Sequence, residues 1–516
     1  MLSDSKSPAL SSWALSRFAP LAALLAGIAA VAGFAPLGWW PLEIASLALL
    51  SWLVSQQVSA VRSALVGWCF SFGWMAAGVY WLYISMHDYG GMPALMAAAA
   101  VALLAAWMAA YAALAMWLAT RLRLRLSAST ATALLLIHPP LWMLGEWLRG
   151  WIATGFPWLA SGYAHTGSPL AGYAPLVGVY GIGWLAMLVA GCLALAAMRR
   201  PRALILGAVL LIAGLPLARI AWTEPQGKPI SVRLLQGNVP QEMKFNPEQV
   251  PASLALYREM ITEARADLIA TPETAMPILA QQLPPDYLES LTSFLHDSKS
   301  HLVLGVPVSD GPNRYANSAL GFGPDSGNHA WRYDKHHLVP FGEFIPPGAR
   351  WFVDMMNIPL GDFTRGDKLQ PPFEASGQWI MPNICYEDLF GEEIADQIAA
   401  AHFAKKPEPT MLLNMSNIAW FGDSIALPQH LQISQMRALE LRRPMLRATN
   451  TGATAVIDAR GQVQAELKPF TRGTLAASVQ GMHGLTPYIV MGNALPVTAA
   501  LLLLGGMWLA GRRKPA

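Results

Sequence analysis

Three residue types that together make a covalent acyl-transfer site follow one another in this chain in the order carboxylate, ammonium, thiol. Glu273 stands in Thr271-Pro272-Glu273-Thr274, Lys335 in Tyr333-Asp334-Lys335-His336-His337, and Cys385 in Ile384-Cys385-Tyr386-Glu387. A thiol becomes a good nucleophile when a neighbouring base takes its proton and a nearby cation favours the thiolate. Glu273 is then the candidate base, Lys335 the candidate cation and Cys385 the candidate nucleophile. The alternative is that the three are unrelated and Cys385 is a small buried hydrophobe, the ordinary state of a lone cysteine. His336 and His337 look like a metal pair, but adjacent side chains do not converge easily on one ion and no Cys or His partners lie nearby in the chain; no metal and no cofactor are expected.

Short apolar strands should hold these groups. Ile230 to Leu235 is a β-rich run, and Pro251 to Ala266 has helical spacing. Leu268-Ile269-Ala270 is a brief strand that delivers Glu273, Leu302 to Val306 is another, and Trp379 to Ile384 delivers Cys385 in the same way. Met411 to Asn414 and Ala453 to Ile457 repeat the theme. Strand ends on a rigid sheet hold reactive groups well. The alternation of strand and helix predicts an α/β domain.

The rest of the chain is of another kind. Of 516 residues, 54% are hydrophobic and 13% charged, and 27 of the 32 Asp and Glu lie between residues 225 and 482. The flanks read as bilayer-embedded and the middle as a water-soluble domain large enough for a full core. We expect a membrane region at 1–224, a catalytic domain at 225–482 and a last transmembrane helix with a tail at 483–516. About eight spans of the ~20 residues a bilayer requires are expected near 17–36, 41–58, 62–86, 91–120, 128–149, 173–198, 203–222 and 486–510. Leu21 to Gly33 could pass for a signal-peptide core, but more spans follow at once, so it reads as an uncleaved helix. A net charge of +3, with 21 Lys and Arg against 27 acids in the middle domain, argues against a nucleic-acid partner.

Alternate short loops and the termini carry twelve Lys and Arg (Lys6, Arg17, Arg62, Arg121, Arg123, Arg125, Arg199, Arg200, Arg202, Arg512, Arg513 and Lys514), whereas the other set carries only Arg149. By the positive-inside rule both termini are cytoplasmic and the middle domain lies outside. Three cysteines make no disulfide framework, and Cys69 and Cys192 fall within expected spans. Cys385 is left as a lone thiol facing an oxidising compartment, a liability unless it is buried or used.

The Glu, Lys and Cys motifs resemble the nitrilase superfamily, and the whole chain resembles the apolipoprotein N-acyltransferase family of bacterial inner-membrane enzymes. The resemblance rests on Gly145-Glu146-Trp147-Leu148-Arg149-Gly150, Thr154-Gly155-Phe156-Pro157-Trp158, Gln236-Gly237-Asn238 and Thr271-Pro272-Glu273-Thr274. It continues through Pro340-Phe341-Gly342-Glu343, Asn414-Met415-Ser416-Asn417, Ala419-Trp420-Phe421-Gly422-Asp423, Gln429-His430 and Met436-Arg437-Ala438-Leu439-Glu440. It departs at Phe245, where the family often has tryptophan. The resemblance implies an α-β-β-α sandwich beside a polytopic helical membrane bundle. It also implies transfer of an acyl chain from a phospholipid of the phosphatidylethanolamine type, through a cysteine thioester, to the α-amine of a diacylglyceryl apolipoprotein. The catalytic trio is then Glu273, Lys335 and Cys385, with Glu343 orienting Lys335 and with Tyr386 and Glu387 in support.

Substrate-binding candidates are Phe245, Glu146, Arg149, Trp351 and Phe352. Glu146 and Arg149, at i and i+3, could instead pair with each other, and the Trp351–Phe352 stretch could be an ordinary covered loop rather than an arm dipping into the bilayer. Two other classes remain: a membrane-tethered amidase that uses water as acceptor, and a transporter, for which paired repeat halves are missing.

Overall fold

The computed structural model describes residues 9–512 apart from 245, 313, 328 and 346–362. These residues divide into two compact units. The first takes the chain up to Tyr80, Leu95–Arg219 and the segment from Asn493; the second takes Trp81–Ala94 and Ile220–Gly492.

The first unit is helical. Its long elements are Ala9–Ala30, Trp40–Ser55, Ala60–Gly78, Ala94–Arg125, His138–Arg149, Ala174–Ala197, Ala203–Leu217 and Ala494–Arg512. They are apolar on most sides, and large side chains such as Leu95, Leu103, Ile212 and Leu502 are exposed, as befits helices whose solvent is lipid. With no hydrophobic drive between helices in such a solvent, packing depends on close approach of small residues. Helix Ala9–Ala30 meets Ala60–Gly78 in that way. A Cβ on Gly27 would lie 1.9 Å from the Phe70 carbonyl oxygen, and one on Gly73 would lie 2.4 Å from that of Leu24. Among the described residues three helices, Ala94–Arg125, Pro169–Ala197 and Ala494–Gly511, are long and apolar enough to cross a membrane, and a fourth counts if Ala60–Gly78 and the short helical segment after it form one span. Length and composition thus account for three or four of the eight expected spans, and shorter apolar helices run over Arg17–Gly33, Trp40–Ser55 and Ala203–Leu217. Helices Trp40–Ser55 and Ala203–Leu217 have only 16 and 15 residues, about 24 Å at 1.5 Å per residue against a ~30 Å hydrocarbon core.

The hydropathy reading also runs the third span to residue 86, but the helix ends at Gly78. Trp81–Ala94 belongs to the second unit, where Trp81 packs its ring 4.4 Å from that of Phe421.

The second unit is built on strands β1 (Glu224–Pro225), β2 (Ile230–Gln236), β3 (Leu268–Ala270), β4 (His301–Gly311), β5 (Arg314–Phe322), β6 (Trp331–Asp334) and β7 (Phe373–Ala375). It continues with β8 (Gln378–Ile384), β9 (Met411–Ser416), β10 (Met445–Thr449), β11 (Ala455–Ile457), β12 (Val463–Glu466), β13 (Gly473–Val479) and β14 (Met482–His483). One six-stranded sheet has the order β13-β2-β3-β4-β5-β6, the other β12-β11-β10-β9-β8-β7, and β1 pairs with β14 as a short ribbon. Both sheets are mixed: β2, β3 and β4 run parallel, as do β8, β9 and β10, with antiparallel neighbours outside them.

Alternation along β2 explains the layering. Ile230, Val232 and Leu234 join a core that includes Met381, Ile384, Leu412 and Leu446 of the other sheet. Leu235, with Ile269, Leu302 and Leu304, faces Tyr257, Ile261, Leu291 and Leu295 of helices Val250–Thr262 and Pro285–Ser298. Ile394 and Ile398 of helix Gly391–Phe403, with Leu431 and Ala438 of helix Ala426–Leu441, close the far side. The result is helix, sheet, sheet, helix, the expected sandwich.

Candidate active site

Reactive groups gather where strands end. β3 runs parallel to β4, pairing Ala270 with Val303. Beyond it Thr271 donates its N–H to the Val303 carbonyl at 3.0 Å, and its hydroxyl accepts from Gly305 N–H at 2.8 Å. Position 305 must be glycine here, since a Cβ would lie 2.1 Å from the Pro272 carbonyl oxygen. That close fit holds the turn carrying Glu273. β6 pairs with β5, and its end presents Lys335, whose N–H donates to the Asn317 carbonyl at 2.8 Å. β8 ends at Ile384, and Cys385 opens a 3-10 turn, Cys385–Leu389, with a left-handed φ of 54°. A non-glycine residue in that region costs energy and is usually held there by its surroundings.

The Lys335 ammonium, 1% exposed, donates to Glu343 Oε1 at 2.9 Å and to Glu273 Oε1 at 3.3 Å. The Asn317 side-chain amide donates to the same two oxygens at 2.8 Å each. Glu273 Oε2 accepts from the Asn417 N–H at 2.9 Å, and Glu343 Oε2 from the Val339 N–H at 2.8 Å. Two carboxylates in one buried place would repel; one ammonium and one amide shared between them remove most of that cost.

These charges set the protonation states. Burial pushes Glu273 up, but Lys335, Lys244, Asn317 and the Asn417 N–H outweigh it and hold the carboxyl below its ordinary value. Burial would lower Lys335, yet Glu343, Glu273 and Cys385 hold it well above its usual range, so it is charged. The Cys385 thiol is pushed up to about 12, first by burial and then by the Glu273 charge, against the pull of Lys335 and the Ser416 hydroxyl. At neutral pH the thiol therefore keeps its proton.

Glu387 ties the lysine loop to the cysteine turn. Its Oε1 accepts from the N–H groups of His336 and His337 at 2.7 and 3.2 Å, and its Oε2 from the Ile384 N–H at 2.6 Å and the Tyr333 hydroxyl at 3.0 Å. Tyr386 packs its ring edge-on to Phe390 at 5.3 Å. His336 Nδ1 lies 2.8 Å from the Gly366 carbonyl, and His337 Nδ1 lies 3.0 Å from Glu393 Oε1 while its ring stacks on Phe390. The two histidines thus turn to different partners, and among the described residues no cluster of His, Cys, Asp or Glu could hold a metal ion.

Three residues of this shell received no role from the sequence, although Asn417 stands in the Asn414-Met415-Ser416-Asn417 motif. Lys244 is buried, donates to the Glu273 carbonyl oxygen at 3.1 Å and is lowered to about 8, chiefly by burial. Asn317 and Asn417 complete the shell. The available signal at Asn317 is an amide in a strand that is otherwise apolar only from Ala319 onward, and a buried amide needs polar partners.

Glu146 and Arg149 belong to the first unit and do not turn to each other. Glu146 Oε1 accepts from the Ser161 N–H and hydroxyl at 2.8 and 2.7 Å, while Arg149 donates to the carbonyls of Phe156 and Trp158 at 3.1 and 2.6 Å. Phe245, Trp351 and Phe352 lie outside the described residues.

Residues 26–192 match the model of the apolipoprotein N-acyltransferase N-terminal domain, and residues 231–488 that of carbon-nitrogen hydrolase. The chain is 56% identical over 489 residues to an apolipoprotein N-acyltransferase of Ralstonia nicotianae, covering 94% of this chain and 92% of the relative. It is 44% identical over 507 residues to one of Nitrosomonas europaea, covering 96% and 99%. A solved amidase from Nesterenkonia sp. is similar over 52% of this chain and 95% of its own, with 18% identity and a TM-score of 0.38.

Proposed function

Since the chain belongs to the apolipoprotein N-acyltransferase family, we propose that it moves an acyl chain from a membrane phospholipid, through a thioester on Cys385, to the α-amine of the diacylglyceryl-modified cysteine of an apolipoprotein. The observation that carries the residue roles is the Lys335 ammonium held between Glu273 and Glu343 at 3.3 and 2.9 Å, on a loop that Glu387 joins to the turn of Cys385.

The thiol is protonated at rest, so Glu273 takes its proton as Sγ attacks the ester carbonyl of the phospholipid. Lys335 uses two of its three N–H groups on the carboxylates, which leaves the third for the oxyanion. The Tyr386 N–H is the second donor, and each such donor is worth about 3 kcal/mol in comparable sites. Collapse breaks the ester bond, Glu273 returns the proton to the leaving glycerol oxygen, and a lysophospholipid departs. The α-amine of the acceptor then attacks the thioester, gives a proton to Glu273, and the amide forms as the thiol regains it. Glu343 keeps Lys335 in place throughout.

An apolipoprotein acceptor follows the relatives' name, and its diacylglyceryl modification and a donor phospholipid of the phosphatidylethanolamine type are proposed with it. Residues 1–224 and 483–516 are the membrane part, by the span count near eight that hydropathy supports. Residues 225–482 are the extracytoplasmic part and both termini are cytoplasmic, by the Lys and Arg asymmetry. Glu146 and Arg149, at membrane depth, and Phe245, Trp351 and Phe352 remain the substrate-binding residues of this reading.

Intact mass after incubation with phosphatidylethanolamine tests it. We expect one added acyl mass, mapped to Cys385, that disappears when a diacylglyceryl lipopeptide is added and reappears on the lipopeptide. Loss of the mass to water at the same rate without lipopeptide would make the protein a hydrolase, and no acyl mass at all would remove the mechanism.

A further inference from the structure

The residues that hold the Cys385 backbone are not part of the trio. Its carbonyl oxygen lies 3.3 Å from His430 Nε2 and accepts from the Asn414 side-chain amide at 3.2 Å. His430 Nε2 also lies 2.9 Å from Asp388 Oδ1. On the other side of the ring, Arg447 Nη2 lies 3.1 Å from His430 Nδ1. Arg447 Nη1 reaches Asp388 Oδ2 at 3.2 Å, and the Ser434 hydroxyl donates to that same oxygen at 2.5 Å. His430 is 1% exposed, and Asp388, Ser434 and Arg447 are fully buried.

The chemistry of these contacts fixes one tautomer. A guanidinium has donors only, so Nδ1 must be the acceptor and Nε2 must carry the ring's single proton. That proton points to Asp388 and to the Cys385 carbonyl. Asp388 lies three residues beyond Cys385 in the same 3-10 turn. The ring therefore clasps both ends of the turn that carries the thiol, and the charges of Asp388 and Arg447 cancel where neither reaches water.

We propose that His430, set in its Nε2–H tautomer by Arg447 and anchored by Asp388, is a positioning residue that holds Cys385 in its left-handed conformation and so aims the thiol at the acyl carbonyl. The proposal rests on Cys385 being the nucleophile. It assigns His430 no contact with substrate.

The test uses the full-length enzyme in a Cys69→Ser, Cys192→Ser background, so that Cys385 is the single thiol, and follows thioester formation with phosphatidylethanolamine. His430→Ala should lower kcat at least fivefold with KM for the phospholipid unchanged, and should slow alkylation of Cys385 by iodoacetamide. His430→Gln, whose Nε2–H falls near that of the imidazole, should recover a substantial part of both. A loss below fivefold in His430→Ala, or equal loss in Ala and Gln variants, overturns the proposal. If His430→Ala does not fold, Arg447→Lys decides. It keeps the charge beside Asp388 but replaces the forked guanidinium by a single nitrogen, which cannot stand in for both Nη1 at Asp388 and Nη2 at Nδ1, so a fivefold or greater fall in kcat at constant KM is expected, and a smaller one overturns the proposal. Cys385→Ala in parallel separates the two ideas: activity there sinks the nucleophile itself, whereas a dead Cys385→Ala beside a fully active His430→Ala sinks only the positioning role.

Discussion

At the scale of single residues the candidate site is a buried ammonium shared by two carboxylates beside a protonated thiol. With the Cys385 thiol pushed up to about 12, replacing it changes more than a sulfur. Cys385→Ala should leave the thermal midpoint within a few degrees and abolish thioester formation. Cys385→Ser should be nearly as poor, because a hydroxyl is a far weaker acid than a thiol and Glu273 is held below the ordinary carboxylate range. Mass spectrometry of the acyl-enzyme reads both. Lys244 gives a sharper test, since its ammonium helps to keep Glu273 ionised. A cation favours the carboxylate, so Lys244→Met should raise the Glu273 pKa and move the acid limb of the pH profile for thioester formation to higher pH. An unmoved limb would take Lys244 out of the site.

At the scale of elements, the site depends on the register between a lysine loop and a cysteine turn from different sheets. Glu387 makes that join through four accepted hydrogen bonds. Glu387→Gln keeps the shape but turns one acceptor into a donor facing N–H groups. It should cost about 1–3 kcal/mol of stability and slow thioester formation more than tenfold, measured by thermal unfolding and acyl-enzyme mass in detergent. Normal kinetics in a destabilised Glu387→Gln protein would mean that the join matters for folding alone. The Asp388 network adds a pH term. Burial would raise that carboxyl, but His430, Arg447 and Ser434 hold it below its ordinary 3.8. A depressed folded value contributes stability that is full above 3.8 and is lost as pH falls through the lower folded value. The thermal midpoint should fall in acid below about pH 4, and Asp388→Asn should flatten that fall.

At the scale of the whole molecule, charge distribution is the argument for orientation. Lys and Arg crowd one set of short loops, twelve against one, and charges of that kind stay on the cytoplasmic side. In the same Cys69→Ser, Cys192→Ser background, with Cys385→Ala added, a membrane-impermeant thiol reagent should label Asp325→Cys from outside spheroplasts. It should label Arg121→Cys only after lysis. Both parent residues are exposed. The reverse pattern would invert the orientation and place the acyl transfer on the cytoplasmic face.

The sequence by itself determined the family and the short strands that carry the candidate site. Glu273 and Cys385 each follow a short apolar strand, and such strands have a local signature of periodicity and bounding turns. The run at Ile230 became β2 and Val250–Thr262 became the helix expected from residue 251, because both are read from short local stretches of the chain. The shorter or more polar strands β6, β7 and β12 left no such signature. Only the tertiary structure decided who surrounds the trio. Asn417 reaches Glu273 across 144 residues, Asn317 across 44, and Arg447 reaches Asp388 across 59. No local period encodes such contacts; they exist because strand pairing, parallel at β3 and antiparallel at β5, brings distant stretches of the chain together. The span boundaries shifted for the complementary reason. Hydropathy counts apolar residues, whereas helix length depends on breaks such as the one after Gly78, where Trp81 packs against Phe421 and leaves the helical bundle for the sandwich unit.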